Sequence, residues 1–226
     1  MMWLFDPAPS GQSYAALFLV GIANTVILSL SSTLVACAIG LVVGILNSAG
    51  SQFANIYLQI FRNTPLLVQL FAAFYLLPNF IPMLAEIPYP VQVFGAGFLA
   101  LTLYIGARLS AQVQAGIEAT PDGQFQSAKA LGLTAFQVYR LVVLPQALRA
   151  VSPAIANEWV SAIKNSSVVS TIGFFELTKF SADVVEYTSR TFTVFAMVAA
   201  SYLLLNLTVL MTFRVIERKM RVGGVT

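Results

Sequence analysis

Charged positions are spaced so unevenly along this chain that its elements can be read from the gaps. No Asp, Glu, Lys or Arg occurs between Asp6 and Arg62, from Asn63 to Ala85, from Ile87 to Ala107, or from Thr191 to Phe213. A helix crossing about 30 Å of hydrocarbon needs roughly 20 mainly apolar residues. Each gap holds at least one such stretch. The pattern predicts spans at about 22–46, 56–77, 91–117, 153–173 and 191–213. The apolar run of the first begins at Tyr14, so its opening turns are expected at the outer interface. The fourth is the weakest, because it contains Glu158 and Lys164.

Turn-forming residues punctuate these runs. Asn47 to Gln52 is a polar break, and Pro78, Pro82, Pro88 and Pro90 mark a second loop around Glu86. Pro65 lies near the start of the second span, where a kink is expected. Gly40 and Gly44 form a small-x-x-x-small pair that permits close helix approach, as in ordinary packing. Residues 119–150 read as a loop with short amphipathic helices. There Phe125, Ala128 and Leu131 recur at helical spacing, and Gly132 supplies a left-handed C-cap. A second short helix, Ala135 to Leu144, is expected to stop before Pro145. The apolar face of such a helix fits a groove on a partner or a membrane interface. Residues 174–190 are polar, and the tail from Arg214 is basic.

Composition sets the class. Hydrophobic residues make up 58% of the 226 and charged residues 9%, against roughly 25% charged in soluble chains. That excludes a soluble domain and a disordered one, and leaves an all-α polytopic membrane protein. The net charge of +3 reads as a cytoplasmic excess of cations, not as a nucleic-acid surface. Lys129, Arg140, Arg149, Arg214, Arg218, Lys219 and Arg221 fall on one side of the five-span arrangement, and only Lys179 and Arg190 on the other. The N-terminus is therefore expected outside, and the 119–150 loop and C-terminus in the cytoplasm. The first residues lack a basic n-region, so the first span is expected to be retained. Cys37 is the single cysteine and histidine is absent, which removes an intrachain disulfide, His-based catalysis and His metal sites. No Walker A loop occurs, so ATP hydrolysis and any cofactor are not expected in this chain.

Four charges lie within or near spans: Arg62, Arg108, Glu158 and Lys164. Each central charge costs roughly 2.5–3.5 kcal/mol on insertion scales, so it faces a cavity, a partner or an interface. Glu158 and Lys164 are six residues apart and do not share a helix face. With Asn165, Ser166 and neighbouring hydroxyls they make the fourth span a candidate lining of a translocation path. Lys164 can equally snorkel to an interface or pair with a neighbouring subunit. Arg108 fits a carboxylate through two parallel hydrogen bonds, or anchors the third span at the cytoplasmic side.

Several motifs carry a family resemblance. Gly123-Gln124, Ala128, Ala130-Leu131-Gly132-Leu133, Tyr139-Arg140 and Leu144-Pro145-Gln146-Ala147 resemble the EAA loop of ABC importer permeases. Phe61-Arg62-Asn63-Thr64-Pro65-Leu66-Leu67-Val68-Gln69 resembles the second-span motif of the polar amino-acid branch. Asn157-Glu158, Ile163-Lys164-Asn165-Ser166-Ser167, Thr171-Ile172-Gly173 and Glu217-Arg218-Lys219 fit the same family. Ala107-Arg108, Gln112-Val113 and Ala115-Gly116-Ile117 look closest to its glutamate/aspartate members. The chain departs from the pattern at Gln126-Ser127-Ala128, where the name-giving Glu-Ala-Ala stands in relatives, and in the third span at Ala111 and Gln114 and at Arg108, where many relatives have Tyr.

The resemblance implies the type I ABC importer permease fold with a cytoplasmic coupling helix. It implies a dimer of identical or homologous permeases, an ABC ATPase homodimer that holds ATP and Mg, and an extracytoplasmic binding protein that delivers an amino acid. The segment Gly123, Gln126, Ser127, Ala128, Lys129, Ala130, Leu131, Gly132 and Leu133 would dock on the ATPase. The inner membrane is the implied location. An ATPase-independent secondary transporter or channel is the alternative. The docking-type loop and the lack of an internal repeat speak against it, and the lack of histidine and paired carboxylates speaks against an intramembrane enzyme.

Overall fold

Mostly small residues form the inner face of α1 (Tyr14–Ser48): Gly21, Thr25, Ser29, Ser32, Thr33, Ala36, Gly40 and Gly44 are buried beside Tyr14 and Leu28, while Leu19, Ile27, Leu34 and Val42 are exposed. In lipid, large apolar side chains gain nothing by turning inward, so close backbone contact decides which face packs. The computed structural model describes residues 2–222, with the side chains of Met2, Ile216, Glu217 and 219–222 outside the described set. The side chains of Lys219 and Arg221 of the expected basic tail therefore lie outside the described set.

The helices run α1, α2 (Gln52–Asn63), α3 (Leu66–Phe71), α4 (Leu77–Phe80), α5 (Tyr89–Glu118), α6 (Asp122–Ala130), α7 (Ala135–Val138), α8 (Leu144–Ser166), α9 (Leu177–Thr188) and α10 (Thr191–Val222). No strand occurs among the described residues. The central packing is α1 against α5. A Cβ on Gly40 would lie 2.5 Å from Leu109 Cβ, and one on Gly44 would lie 2.7 Å from Val113 Cβ. The close approach expected of this glycine pair is thus realised. Two of the buried hydroxyls on α1 return to their own helix: Ser29 Oγ donates to Thr25 O at 2.6 Å and Thr33 Oγ1 to Ser29 O at 2.7 Å. That satisfies them without a partner helix.

Three buried clusters hold the bundle. Leu28, Leu70, Leu101 and Ile105 centre the middle one. Trp3, Tyr14, Leu177, Phe180 and Val194 form another at the N-terminal end of α1. Val113, Ile117, Ala128, Val138 and Ala147 form the third, where α5 meets the 119–150 segment.

The sequence predicts five crossings. By length and composition, α1, α5 and Thr191–Val215 of α10 qualify among the described residues, and α2 with Leu66–Phe80, bent by 106°, adds a fourth if the pair counts as one broken span rather than a re-entrant loop. α8, which carries Arg149, Glu158 and Lys164, does not qualify on apolarity and packs between α1, α5 and α10.

Two local expectations need correction. The second span is not merely kinked but broken. Thr64, forced toward extended backbone by the following proline, has φ −103° and ψ 130°. The Gln69 side chain then bridges the gap, its Nε2 donating to Phe61 O and Thr64 O at 2.9 Å each.

Second, the helix from Ala135 does not stop at Pro145. It widens into a π-turn over Tyr139–Val143, where Leu144 N donates to Tyr139 O, and continues as α8. The wider turn accommodates the proline's missing N–H and its ring. The same solution precedes Pro78, where Leu77 N donates to Ala72 O. The polar stretch 174–190 contains a helix, α9, capped by Glu176.

Candidate functional site

Residues four apart share a helix face, and on α5 that face carries Tyr104, Arg108 and Gln112. On α8, Glu158, Ser161 and Asn165 recur at the same kind of spacing. The two helices approach closely at Gly116, where a Cβ would lie 2.8 Å from Val151 Cγ1. Their polar faces meet. Arg108 Nε donates to Glu158 Oε2 at 2.8 Å, and Gln112 Nε2 donates to Glu158 Oε1 at 2.8 Å.

Exposure across this cluster is lopsided. The Glu158 side chain is 2% exposed and that of Arg108 is 44% exposed. Glu158 is therefore a buried anion with one donor on each oxygen, and it holds the guanidinium from behind. The arginine head remains open, with its Cζ 5.7 Å from the centre of the Tyr104 ring. Arginine donates through five N–H groups, and Glu158 engages the fork through Nε alone. The outer pair of guanidinium nitrogens has the fork geometry that fits a carboxylate.

Of the path residues expected from sequence, Arg108 and Glu158 are brought together. Asn165 is half-buried and donates to Ser161 Oγ at 3.1 Å. Lys164 is exposed and forms no ion pair among the described residues. Ser166 is fully buried and donates to Ile163 O at 2.7 Å, away from this cluster. Gln112 and Tyr104 belong to the site and were not singled out for it by sequence reasoning. Their position one turn either side of Arg108 is the signal that could have found them. Among the described residues no group of metal-ligating side chains is assembled.

The coupling-loop residues form a separate surface. α6 ends in a Schellman motif: Gly132 has φ +79°, its N–H donates to Lys129 O at 2.9 Å, and Leu133 N donates to Ala128 O at 3.3 Å. The C-cap expected at Gly132 is formed. Ala128 is buried and Leu133 half-buried, and the helix is seated on α7 and the π-turn Tyr139–Val143. Gly123, Gln126, Ser127, Lys129, Ala130 and Leu131 face outward, with Leu131 82% exposed. Phe125 stacks edge-on against Tyr139, and the Lys129 ammonium lies 4.6 Å from the Phe125 ring centre. Thr134 and Gln137 close a capping box that starts α7.

At the other end, Glu176 is fully buried. Its Oε1 accepts from Thr178 N and Lys179 N, and its Oε2 from the Tyr202 hydroxyl at 2.6 Å. On the surface of α9, Asp183 accepts from Lys179 Nζ at 2.6 Å and raises the lysine's pKa above its ordinary value.

A family model described as binding-protein-dependent transport system inner membrane component matches residues 36–222. The chain is 32% identical over 228 residues to the glutamate/aspartate import permease protein GltJ of Escherichia coli (strain K12), across 96% of this chain and 93% of that protein. It is 31% identical over 219 residues to the octopine transport system permease protein OccM of Rhizobium radiobacter, across 94% and 89%. Among solved structures, a crystal structure of an amino acid ABC transporter with histidines matches with a TM-score of 0.79 and 31% identity. That match covers 91% of this chain and 95% of the other.

Proposed function

The chain belongs to the family of binding-protein-dependent transport system inner membrane components, and on that premise we propose that it forms the translocation path of an ABC importer for polar amino acids. It is a transport subunit and not an enzyme; ATP and Mg belong to a separate ATPase. Glutamate, aspartate or a related compound is the solute that fits best. The observation that carries this reading is the half-exposed guanidinium of Arg108, backed by buried Glu158 at 2.8 Å. Its outer edge has the geometry that suits a carboxylate in two parallel hydrogen bonds.

Within this reading each expected path residue has a stated part. Arg108 meets the solute. Glu158 acts through Arg108. Lys164 and Asn165 line the way on α8, and buried Ser166 contributes by packing. One copy encloses too little for a path, so a second permease, identical or homologous, completes it. The 119–150 segment faces the cytoplasm, where exposed Leu131 and its neighbours, held by the Gly132 cap, dock on the ATPase homodimer. The N-terminus and α9 face outward, where a substrate-binding protein delivers the amino acid. ATP binding and hydrolysis drive alternation between inward- and outward-facing states.

The test is uptake by the complete importer, reconstituted with its ATPase and binding protein. In Arg108→Ala, uptake of glutamate is expected to fall far more than uptake of glutamine. An equal fall in both assigns Arg108 to structure rather than to solute selection.

A further inference from the structure

We infer that Gln112 is a positioning residue for the solute site: its amide holds Glu158 on the Nε of Arg108, so that the outer edge of the guanidinium stays open. The inference rests on the reading of Arg108 as the carboxylate-binding group.

The geometry supplies the reason. A carboxylate that meets an arginine side-on can take two parallel hydrogen bonds, one from Nε and one from the adjacent terminal nitrogen. That bidentate arrangement is the stronger one, yet here Glu158 takes Nε alone, at 2.8 Å. Its other oxygen is turned away to Gln112 Nε2, also at 2.8 Å. Gln112 thereby competes with Arg108 for the second oxygen. Without it, Glu158 is free to rotate and close on both nitrogens. The terminal nitrogen is then shared, one of its two N–H groups given to Glu158, and the second anionic oxygen lies beside the outer edge, where it repels an incoming carboxylate.

The amide's orientation supports this role. Gln112 Oε1 is buried and has no hydrogen-bond partner among the described residues. A buried, unpaired acceptor is unfavourable. Turning the amide over would place that oxygen against a carboxylate, which accepts only. The side chain therefore keeps its donor on Glu158 although its acceptor goes unsatisfied. Nothing else on the α5 face competes for that oxygen: Tyr104 lies one turn before Arg108 and contacts the guanidinium with its ring.

The experiment is equilibrium binding of radiolabelled glutamate and glutamine to the purified permease–ATPase complex in nanodiscs, without the binding protein. Gln112→Met keeps the length of the side chain and removes the donor. It is expected to weaken binding about tenfold, the scale of one well-placed charge-assisted hydrogen bond. The same change is made in an Arg108→Lys background. A lysine has no fork for Glu158 to occupy side-on, so there Gln112→Met is expected to change binding less than about twofold.

Equal weakening in both backgrounds would make Gln112 a structural residue and overturn the inference. So would native affinity in Gln112→Met alone. If Arg108→Lys and Arg108→Leu both retain native affinity, the carboxylate reading of Arg108 fails, and the role of Gln112 fails with it. Gln112→Glu serves as a second variant. It replaces the donor with an acceptor and is expected to weaken binding at least as much; unchanged binding there counts against the inference.

Discussion

Glu158 lies buried behind Arg108, its Oε2 2.8 Å from the arginine Nε, while the arginine head reaches the surface. The two come from helices whose residues stand fifty positions apart in sequence. This asymmetry makes their removal unequal. Arg108→Met leaves a buried carboxylate with only the Gln112 amide, and an uncompensated buried charge costs about 3–5 kcal/mol. Glu158→Gln keeps the volume and leaves a cation that already reaches the surface, so its cost is expected near about 1 kcal/mol. Thermal midpoints of the purified complex check the order. A larger loss in Glu158→Gln than in Arg108→Met would show that the arginine, not the glutamate, is the stranded charge.

The left-handed backbone at Gly132 (φ +79°) predicts a coupling defect that leaves the bundle intact. A β-branched residue in that conformation costs about 1–2 kcal/mol or more. Gly132→Val is expected to unwind the end of α6 and displace Leu131. The complex should then bind its ATPase poorly, or hydrolyse ATP without moving solute. Co-purification and uptake measured together test this, and normal values of both contradict it.

At the break between α2 and α3, the Gln69 amide donates to Phe61 O and Thr64 O. Gln69→Leu leaves these two carbonyls without that donor, at an expected cost of about 1–3 kcal/mol. Distances between spin labels on α2 and α4 should broaden as the bend loosens. A narrow, unchanged distribution would assign the 106° bend to Pro65 alone.

What the sequence made legible follows from which signals are local. The charge-free gaps located α1, α5 and α10, because crossing a bilayer imposes a length and a composition on each helix separately. Gly132 as a C-cap, and Gly40 with Gly44 as a close-contact pair, were also readable, since glycine is needed there for its own backbone or its missing side chain. Pro145 misled. It reads as a stop, but a π-turn over five residues absorbed it, and no single residue announces such a turn.

The break at Pro65 was legible as a kink only. What sustains a full break is Gln69, whose role depends on carbonyls that become free once the helix has parted. The site was half visible. Arg108 and Glu158 stood out as charges in lipid, each taken alone, whereas their pairing depends on how α5 and α8 cross at Gly116. Gln112 carries no charge and became significant only when Glu158 appeared beside it. Ser166 illustrates the reverse: a hydroxyl among path candidates proved to be bonded to its own helix and sealed from the surface.

The most direct measurement is ATP-driven uptake of labelled glutamate into proteoliposomes that hold this chain, its ATPase and its binding protein, with native and Arg108→Ala permeases side by side. The native complex is expected to accumulate glutamate only when ATP, ATPase and binding protein are all present, and Arg108→Ala to lose most of that accumulation while still hydrolysing ATP. Accumulation by this chain without the ATPase, or glutamate uptake by Arg108→Ala at the native rate, would contradict it.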